Sequence, residues 1–371
     1  MPDHPPERID LGRADDPRDV VHRAVACLAQ GGLVGLPTGT GYALAACCAS
    51  APAVALLCAA AAGSDRPTAL LVRGAGEVAD WAPSVGRVGR RLALRGWPGP
   101  LTLVFAADPA RPGLAARLSE PARALVAPDG TIALTLCPHP IVREVARLLP
   151  APLSLAGPPA AGADDLADIP GLAMLVDDGP SPRPGDSTVV RVGPVGYEVV
   201  RPGLIDAGSL ARMAGTIVLF VCTGNTCRSP MAEALCKARL ADRLKIAPDA
   251  LEAAGYVIIS AGVAATAGMP AADHAVAIVR ELGGSLDDHA SRPAGIELVR
   301  MADVIIAMTT DHLDLLLERA PDAEPRARLL DPNGGDLDDP VGSDLPNYRR
   351  TAEAIIAHLD PLLDELLRRP D

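Results

Sequence analysis

The sequence predicts an α/β protein of two domains. Apolar β-type runs alternate with helical patterns along the whole chain, Pro/Gly breaks separate them, and 371 residues exceed one domain at the usual ~150. With 49% hydrophobic and 22% charged residues, the composition is that of an ordinary globular protein. Aromatics make up only 2%, so Leu, Val, Ile and Ala must fill the cores.

In the first half, Asp16 is placed to cap a helix and Pro17 suits its first turn. Val20, Val21, Ala24, Cys27 and Leu28 recur on one face before Gly31 and Gly32 stop it. A strand from Gly32 to Leu36 follows, then the turn-rich PTGTGYALA. LTLVF at 101–105, TIALTL at 131–136 and STVVRV at 187–192 read as further strands, and this domain closes near Arg201-Pro202-Gly203. Residues 204–215 read as a linker. The second half starts with a buried-type strand, TIVLFV at 216–221, then the loop CTGNTCRSP and a helix from about Pro230 to Leu240. YVIISAGV is a strand, Ala272 to Leu282 a helix, ADVIIAMT a strand and Asp311 to Arg319 a helix. A Pro/Gly/Asp-rich loop runs from Asp331 to Pro346, and a last helix from Asn347 to Arg368. Regular strand–helix alternation predicts a parallel sheet covered by helices.

Charge excludes some functions. The chain holds 34 basic and 46 acidic residues, net −12, and both halves are acidic, which argues against a general nucleic-acid binder. The longest apolar run, Ala51 to Gly63, is too short for a bilayer span of ~20 residues, so no membrane partner is expected. The N-terminal MPDHPPERIDLGRADD lacks the apolar core of an export signal. The eight cysteines are scattered and include no C-x-x-C pair. They read as reduced thiols of a cytoplasmic protein, with neither a disulfide framework nor a structural zinc. Lys237 and Lys245 are the only lysines, so no site before residue 237 can use one.

One segment carries chemistry. Between strand and helix lies Cys222-Thr223-Gly224-Asn225-Thr226-Cys227-Arg228-Ser229, a cysteine and an arginine separated by five residues. A loop of this length can turn successive backbone N–H groups inward as an anion nest at a helix N-terminus. Those dipoles and Arg228 would hold Cys222 as a thiolate, and the planar guanidinium would meet two phosphoryl oxygens. Ser229 can hydrogen-bond the sulfur, Gly224 permits a tight turn, and Asn225 tolerates a left-handed backbone.

VLFVCTGNTCRSPMAEAL resembles the low-molecular-weight protein-tyrosine-phosphatase family. The likeness continues through SAGV at 260–263, the HAV at His274, HASRP at His289, ADVIIAMT at 302–309 and GDLDDPVGS, and covers residues 215–368. It implies that Cys222 forms a phospho-cysteine and that Arg228 and the loop residues Thr223 to Cys227 with Ser229 bind the phosphoryl oxygens. It also implies that Asp339, the aspartate before Pro340, is the general acid and base. Asp336 and Asp338 are nearby rivals. No metal or cofactor is implied, and the partner is a phosphorylated protein. Within the family, the bacterial protein-arginine phosphatases share CTGNTCRSP with its Thr226, whereas tyrosine phosphatases generally carry an apolar β-branched residue there. Val341 and Gly342 stand where family members place aromatics. Phosphoarginine is thus the expected substrate class, with phosphotyrosine the alternative; a non-enzymatic phospho-ligand binder is opposed by the intact Cys222, Arg228 and Asp339. Thiol-dependent arsenate reduction would need a cysteine after Cys236, and none exists. Cys227 could shield Cys222 by forming a disulfide with it.

Residues 12–205 resemble the YrdC-like domain of threonylcarbamoyl-AMP synthases, through LPTGTGYALA, WPGPLTLVF, TIALTLCPHP, DSTVV and VVRPG. The likeness implies a twisted α/β sheet around a cavity that takes threonine, bicarbonate and ATP with Mg²⁺; double-stranded RNA binding is ascribed to some members of that family. The polar anchors depart from the pattern. Gly39 replaces an acid, Ala60-Ala61-Ala62 a Lys-x-Arg pair, Thr135 an arginine, and Gly157-Pro158-Pro159 a Ser-Ala-Asn motif. Thr38, Thr40, Tyr42, Ser187, Thr188 and Arg201 remain as candidate cavity residues for an unknown small ligand. The expectation is a domain that no longer catalyses; a bifunctional protein with a working synthase is the alternative. The TGTG turn lacks the lysine of a phosphate-binding P-loop.

Overall fold

The computed structural model describes residues 5–368 except 65, 159 and 195. The chain divides into two units, residues 1–213 and 214–370.

The first unit opens with β1 (Glu7–Asp10), α1 (Pro17–Ala29), β2 (Leu33–Pro37), β3 (Tyr42–Cys47) and α2 (Ala51–Ala60). It continues with β4 (Ala69–Leu71), α3 (Val78–Trp81), α4 (Arg87–Gly96), β5 (Leu101–Ala106) and α5 (Glu120–Val126). Next come β6 (Thr131–Thr135), α6 (Pro140–Leu148), β7 (Leu153–Ala156), β8 (Leu172–Asp177), β9 (Thr188–Val192) and β10 (Tyr197–Arg201). The ten strands form one mixed sheet in the order β1-β8-β2-β3-β7-β4-β6-β5-β9-β10. Asp16 caps α1 by accepting from the Arg18 N–H, and Val20, Val21, Ala24 and Leu28 are buried against the sheet residues Val34, Leu36 and Val176. Cys27, expected on the same face, is only half-buried at its edge.

The expected linker is folded. Within 204–215 lies α7 (Ala207–Ala214), whose first turn is held by Asp206 accepting from the Ser209 N–H and Oγ. Leu210 is fully buried and the Met213 carbonyl accepts from Arg95 Nη1, so this segment belongs to the first unit up to Met213.

The second unit contains β11 (Thr216–Cys222), α8 (Arg228–Leu244), β12 (Tyr256–Gly262), α9 (Asp273–Glu281), α10 (Ile296–Met301) and β13 (Val304–Ala307). It ends with α11 (Thr310–Arg319), β14 (Ala327–Leu329) and α12 (Leu345–Arg368). Its four strands run in the order β12-β11-β13-β14, and every pairing is parallel, as the alternation predicts. Side chains of β11 alternate between two cores. Val218, Phe220 and Cys222 face α8, α9 and α12, while Ile217, Leu219 and Val221 pack with Val299 of α10 and Leu316 of α11. The chain leaves β11 to one side for β12 and to the other for β13, so β11 ends at the switch point where open α/β sheets form their binding crevice.

Candidate active site

The alternation that buries Phe220 also aims Cys222 at the α8 side, at the carboxyl end of the central strand. Residues 223–227 then curl back to the first residue of α8, Arg228. Asn225 makes the curl possible. Its φ of 55° is a left-handed conformation that asparagine tolerates better than most residues. The fully buried Asn225 amide holds the loop, donating from Nδ2 to Ser229 Oγ (3.0 Å) and Ser260 Oγ (2.8 Å) and accepting at Oδ1 from the Arg292 N–H (2.9 Å). His289 Nε2 lies 2.8 Å from the Asn225 carbonyl, and Ser260 Oγ donates to Glu233 Oε2 (2.6 Å). Gly262 on β12 must lack a side chain, because a Cβ there would sit 2.3 Å from the Thr223 carbonyl oxygen.

The thiol sits inside this frame. Cys222 Sγ is 2.9 Å from Ser229 Oγ and accepts from the Asn225 N–H at 3.3 Å. Asn225 Nδ2 already occupies an acceptor position of Ser229, which leaves the serine proton able to serve either the sulfur or the Ala261 carbonyl at 3.2 Å. Arg228 is buried. Its Nη1 donates to the Leu337 carbonyl (3.2 Å), and its Nη2 pairs with Asp339 Oδ2 (2.5 Å) and reaches Thr223 Oγ1 at 3.5 Å. The structure thus separates the three aspartates. Asp336 accepts from the N–H and Oγ1 of Thr310, the first residue of α11, while Asp339 pairs with Arg228. Asp338 is exposed. Cys227 Sγ lies 3.2 Å from the Tyr348 hydroxyl, and both Cys222 and Cys227 are free thiols. Thr226 is half-buried, with Oγ1 3.7 Å from that same sulfur. Val341 is 65% exposed.

Sequence reasoning gave no role to His289, Ser260, Glu233 and Tyr348, although SAGV and HASRP contain two of them. Each acts through a partner distant in the chain, such as the 121 residues between Cys227 and Tyr348. His312 was also missed. It is buried, and burial first, then Arg228, lowers its pKa from the ordinary value.

In the first unit, Thr38, Thr40, Tyr42, Ser187 and Arg201 line one cavity, together with Arg66, Thr102, Thr135, Cys137 and Gly157. Thr188 does not join them. It is fully buried as the first residue of β9, and its hydroxyl exchanges hydrogen bonds with Ile205. The Tyr42 hydroxyl is engaged by the Gly179 carbonyl and the Asp178 N–H, and burial pushes its pKa up to about 12. Arg66 and Arg201 both pair with Asp186. The TGTG turn links two antiparallel strands, β2 and β3, rather than a strand and a helix. Pro159 lies outside the described residues. Among the described residues no His/Cys/Asp/Glu group could hold a metal, and no helix is long and apolar enough to cross a membrane.

Fold and loop together bring a thiol, an arginine and an aspartate to the switch point of a parallel α/β sheet. Residues 217–370 match the family model described as low molecular weight phosphotyrosine protein phosphatase, and residues 26–203 match the Sua5/YciO/YrdC model, described as telomere recombination. A protein-arginine-phosphatase of Geobacillus stearothermophilus is 33% identical over 153 residues, covering 40% of this chain and 95% of its own. One from Bacillus subtilis is 35% identical over 156 residues, 41% of this chain and 92% of its own. The low molecular weight protein-tyrosine-phosphatase Etp of Escherichia coli is 32% identical over 121 residues, 33% of this chain and 73% of its own. The chain belongs to the low-molecular-weight protein phosphatase family through its second half, and its first half is a YrdC-like domain. It is a hydrolase acting on phosphorylated protein residues.

Proposed function

We propose that the second unit removes phosphate from arginine side chains of proteins through a phospho-cysteine on Cys222. The observation that carries the reaction is the frame around the sulfur, with one backbone N–H and one hydroxyl on Cys222 and Arg228 bridged to Asp339. Cys222 Sγ attacks phosphorus, and the N–P bond breaks as Asp339 gives a proton to the departing guanidine. The loop N–H groups and Arg228 hold the equatorial oxygens as their charge rises. Asp339 then takes a proton from water, which attacks phosphorus and releases the thiolate.

Arginine rather than tyrosine is favoured by Thr226. A hydroxyl at the rim of the loop can accept from a guanidinium, and it is a poor neighbour for a phenyl ring. An exposed Val341 offers no ring to stack on a phenol. Two relatives named protein-arginine-phosphatase are similar over nearly their whole length, although a tyrosine phosphatase is similar too. Replacing Thr226 with Ile tests the reading. Phosphoarginine hydrolysis should fall while phosphotyrosine hydrolysis holds or rises; an equal effect on both contradicts it.

For residues 12–205 the reading is a binding module without synthase activity, joined near residue 214 to the phosphatase at 215–368. The family's phosphate-binding positions carry Ala60, Ala62, Thr135 and Gly157, and the cavity arginines Arg66 and Arg201 are both engaged by Asp186. A polyanion such as ATP would find little compensating charge there.

A further inference from the structure

A second line of hydrogen bonds reaches the loop from α11. His312 places Nε2 2.8 Å from Thr223 Oγ1 and Nδ1 2.7 Å from Thr309 Oγ1. Thr309 is also the cap of α11, and its oxygen accepts from the backbone N–H of His312. The ring is buried. Burial and then Arg228 depress its pKa, against the opposing fields of Asp339, Asp311 and Asp336, so the imidazole is neutral, with one donor and one acceptor.

Two tautomers are open to it. With the proton on Nδ1, the ring donates to Thr309, and the Thr309 hydroxyl proton finds no acceptor among the described contacts. With the proton on Nε2, Thr309 donates to Nδ1 and Nε2–H donates to Thr223, and the one hydroxyl proton left over is that of Thr223, for which a phosphoryl group bound in the loop would supply the acceptor. The second arrangement orients Thr223. Its oxygen accepts from His312 and, at 3.5 Å, from Arg228 Nη2, so its own proton must point elsewhere. Thr223 follows Cys222 directly, is exposed at the mouth of the loop, and shares its Arg228 nitrogen with Asp339.

We propose that His312 is a positioning residue that, through the Thr309–His312–Thr223 chain, turns the Thr223 hydroxyl proton toward a non-bridging oxygen of the phosphoryl group bound in the loop. This rests on the reading of Cys222 and its loop given above. Thr223 then adds a side-chain donor to the backbone N–H groups, and His312 decides which way that donor points.

The test is a double-substitution cycle in the full chain, read as kcat/KM on an aryl phosphate. Thr223→Val should lower the rate about 10–100-fold, the scale of a lost hydrogen bond to a charged group. Thr223→Ser, which keeps the hydroxyl, should recover most of the rate lost in Thr223→Val. His312→Phe should cost nearly as much as Thr223→Val in the wild-type background and almost nothing once Thr223 is Val. An equal cost in both backgrounds, or a Thr223→Val rate close to wild type, overturns the proposal. If His312→Phe does not fold, the Val/Ser pair decides alone, since loss in Val with retention in Ser supports the oriented hydroxyl and the reverse overturns it. Hydrolysis that survives Cys222→Ser overturns the reading of the loop and this proposal with it; additivity on a Cys222-dependent rate overturns this proposal only.

Discussion

Asn225 is the residue on which the shape of the loop turns, and Asn225→Ala measures how much. The substitution removes three hydrogen bonds, from Nδ2 to Ser229 and Ser260 and from the Arg292 N–H to Oδ1. At about 1 kcal/mol net for each, that is roughly 3 kcal/mol. Alanine must also hold the left-handed backbone that asparagine accepts at φ 55°, which adds about 1 kcal/mol. A loss near 4 kcal/mol is a large part of the 5–15 kcal/mol that stabilises a typical domain, and it corresponds to a fall in Tm of about 10 °C. Both tryptophans, Trp81 and Trp97, lie in the first unit, so their fluorescence does not report on the loop. Far-UV circular dichroism of the full chain during heating is the appropriate assay, with turnover measured in parallel. Turnover should also drop, because Ser229 loses the partner that leaves its proton for the sulfur. A Tm within about 2 °C of wild type, or unchanged turnover, would refute the reasoning.

Asp339→Asn should slow hydrolysis by about 10²–10⁴-fold, with a smaller loss for substrates whose leaving group needs no proton; steady-state rates across a leaving-group series measure this. Titration calorimetry on the full chain should show ATP–Mg²⁺ binding no tighter than about millimolar, near −4 kcal/mol. Asp186→Ala releases Arg66 and Arg201 from their shared carboxylate and should tighten pyrophosphate binding; no change would show that the cavity does not use these arginines for anions.

Much of the second unit was legible in the sequence because its determinants are local. TIVLFV followed by small polar residues and a helical pattern defines a strand, a tight loop and a helix within 30 residues, and parallel order follows from alternation. The supports of the loop were not legible. Thr223 and His312 are 89 residues apart, Asn225 and Arg292 67 apart, and nothing in either local pattern announces the other. Residues 204–215 read as a linker because the segment is short and follows the break at Arg201-Pro202-Gly203; the burial of Leu210 and the Asp206 cap are tertiary facts. The same holds for the ten-stranded sheet, whose first strand pairs Glu7 with Met174. In the cavity, the Asp186 clamp depends on Arg66, which lies 120 residues earlier.

The central claim is that Cys222 dephosphorylates arginine, and the direct measurement compares kcat/KM of the full chain on matched peptides carrying phosphoarginine or phosphotyrosine, with Cys222→Ser as control. The expected result is faster hydrolysis of the phosphoarginine peptide and no turnover of either peptide by the serine variant. A phosphotyrosine preference of about tenfold, 1.4 kcal/mol in transition-state binding, would contradict the arginine assignment, and activity retained in Cys222→Ser would contradict the mechanism.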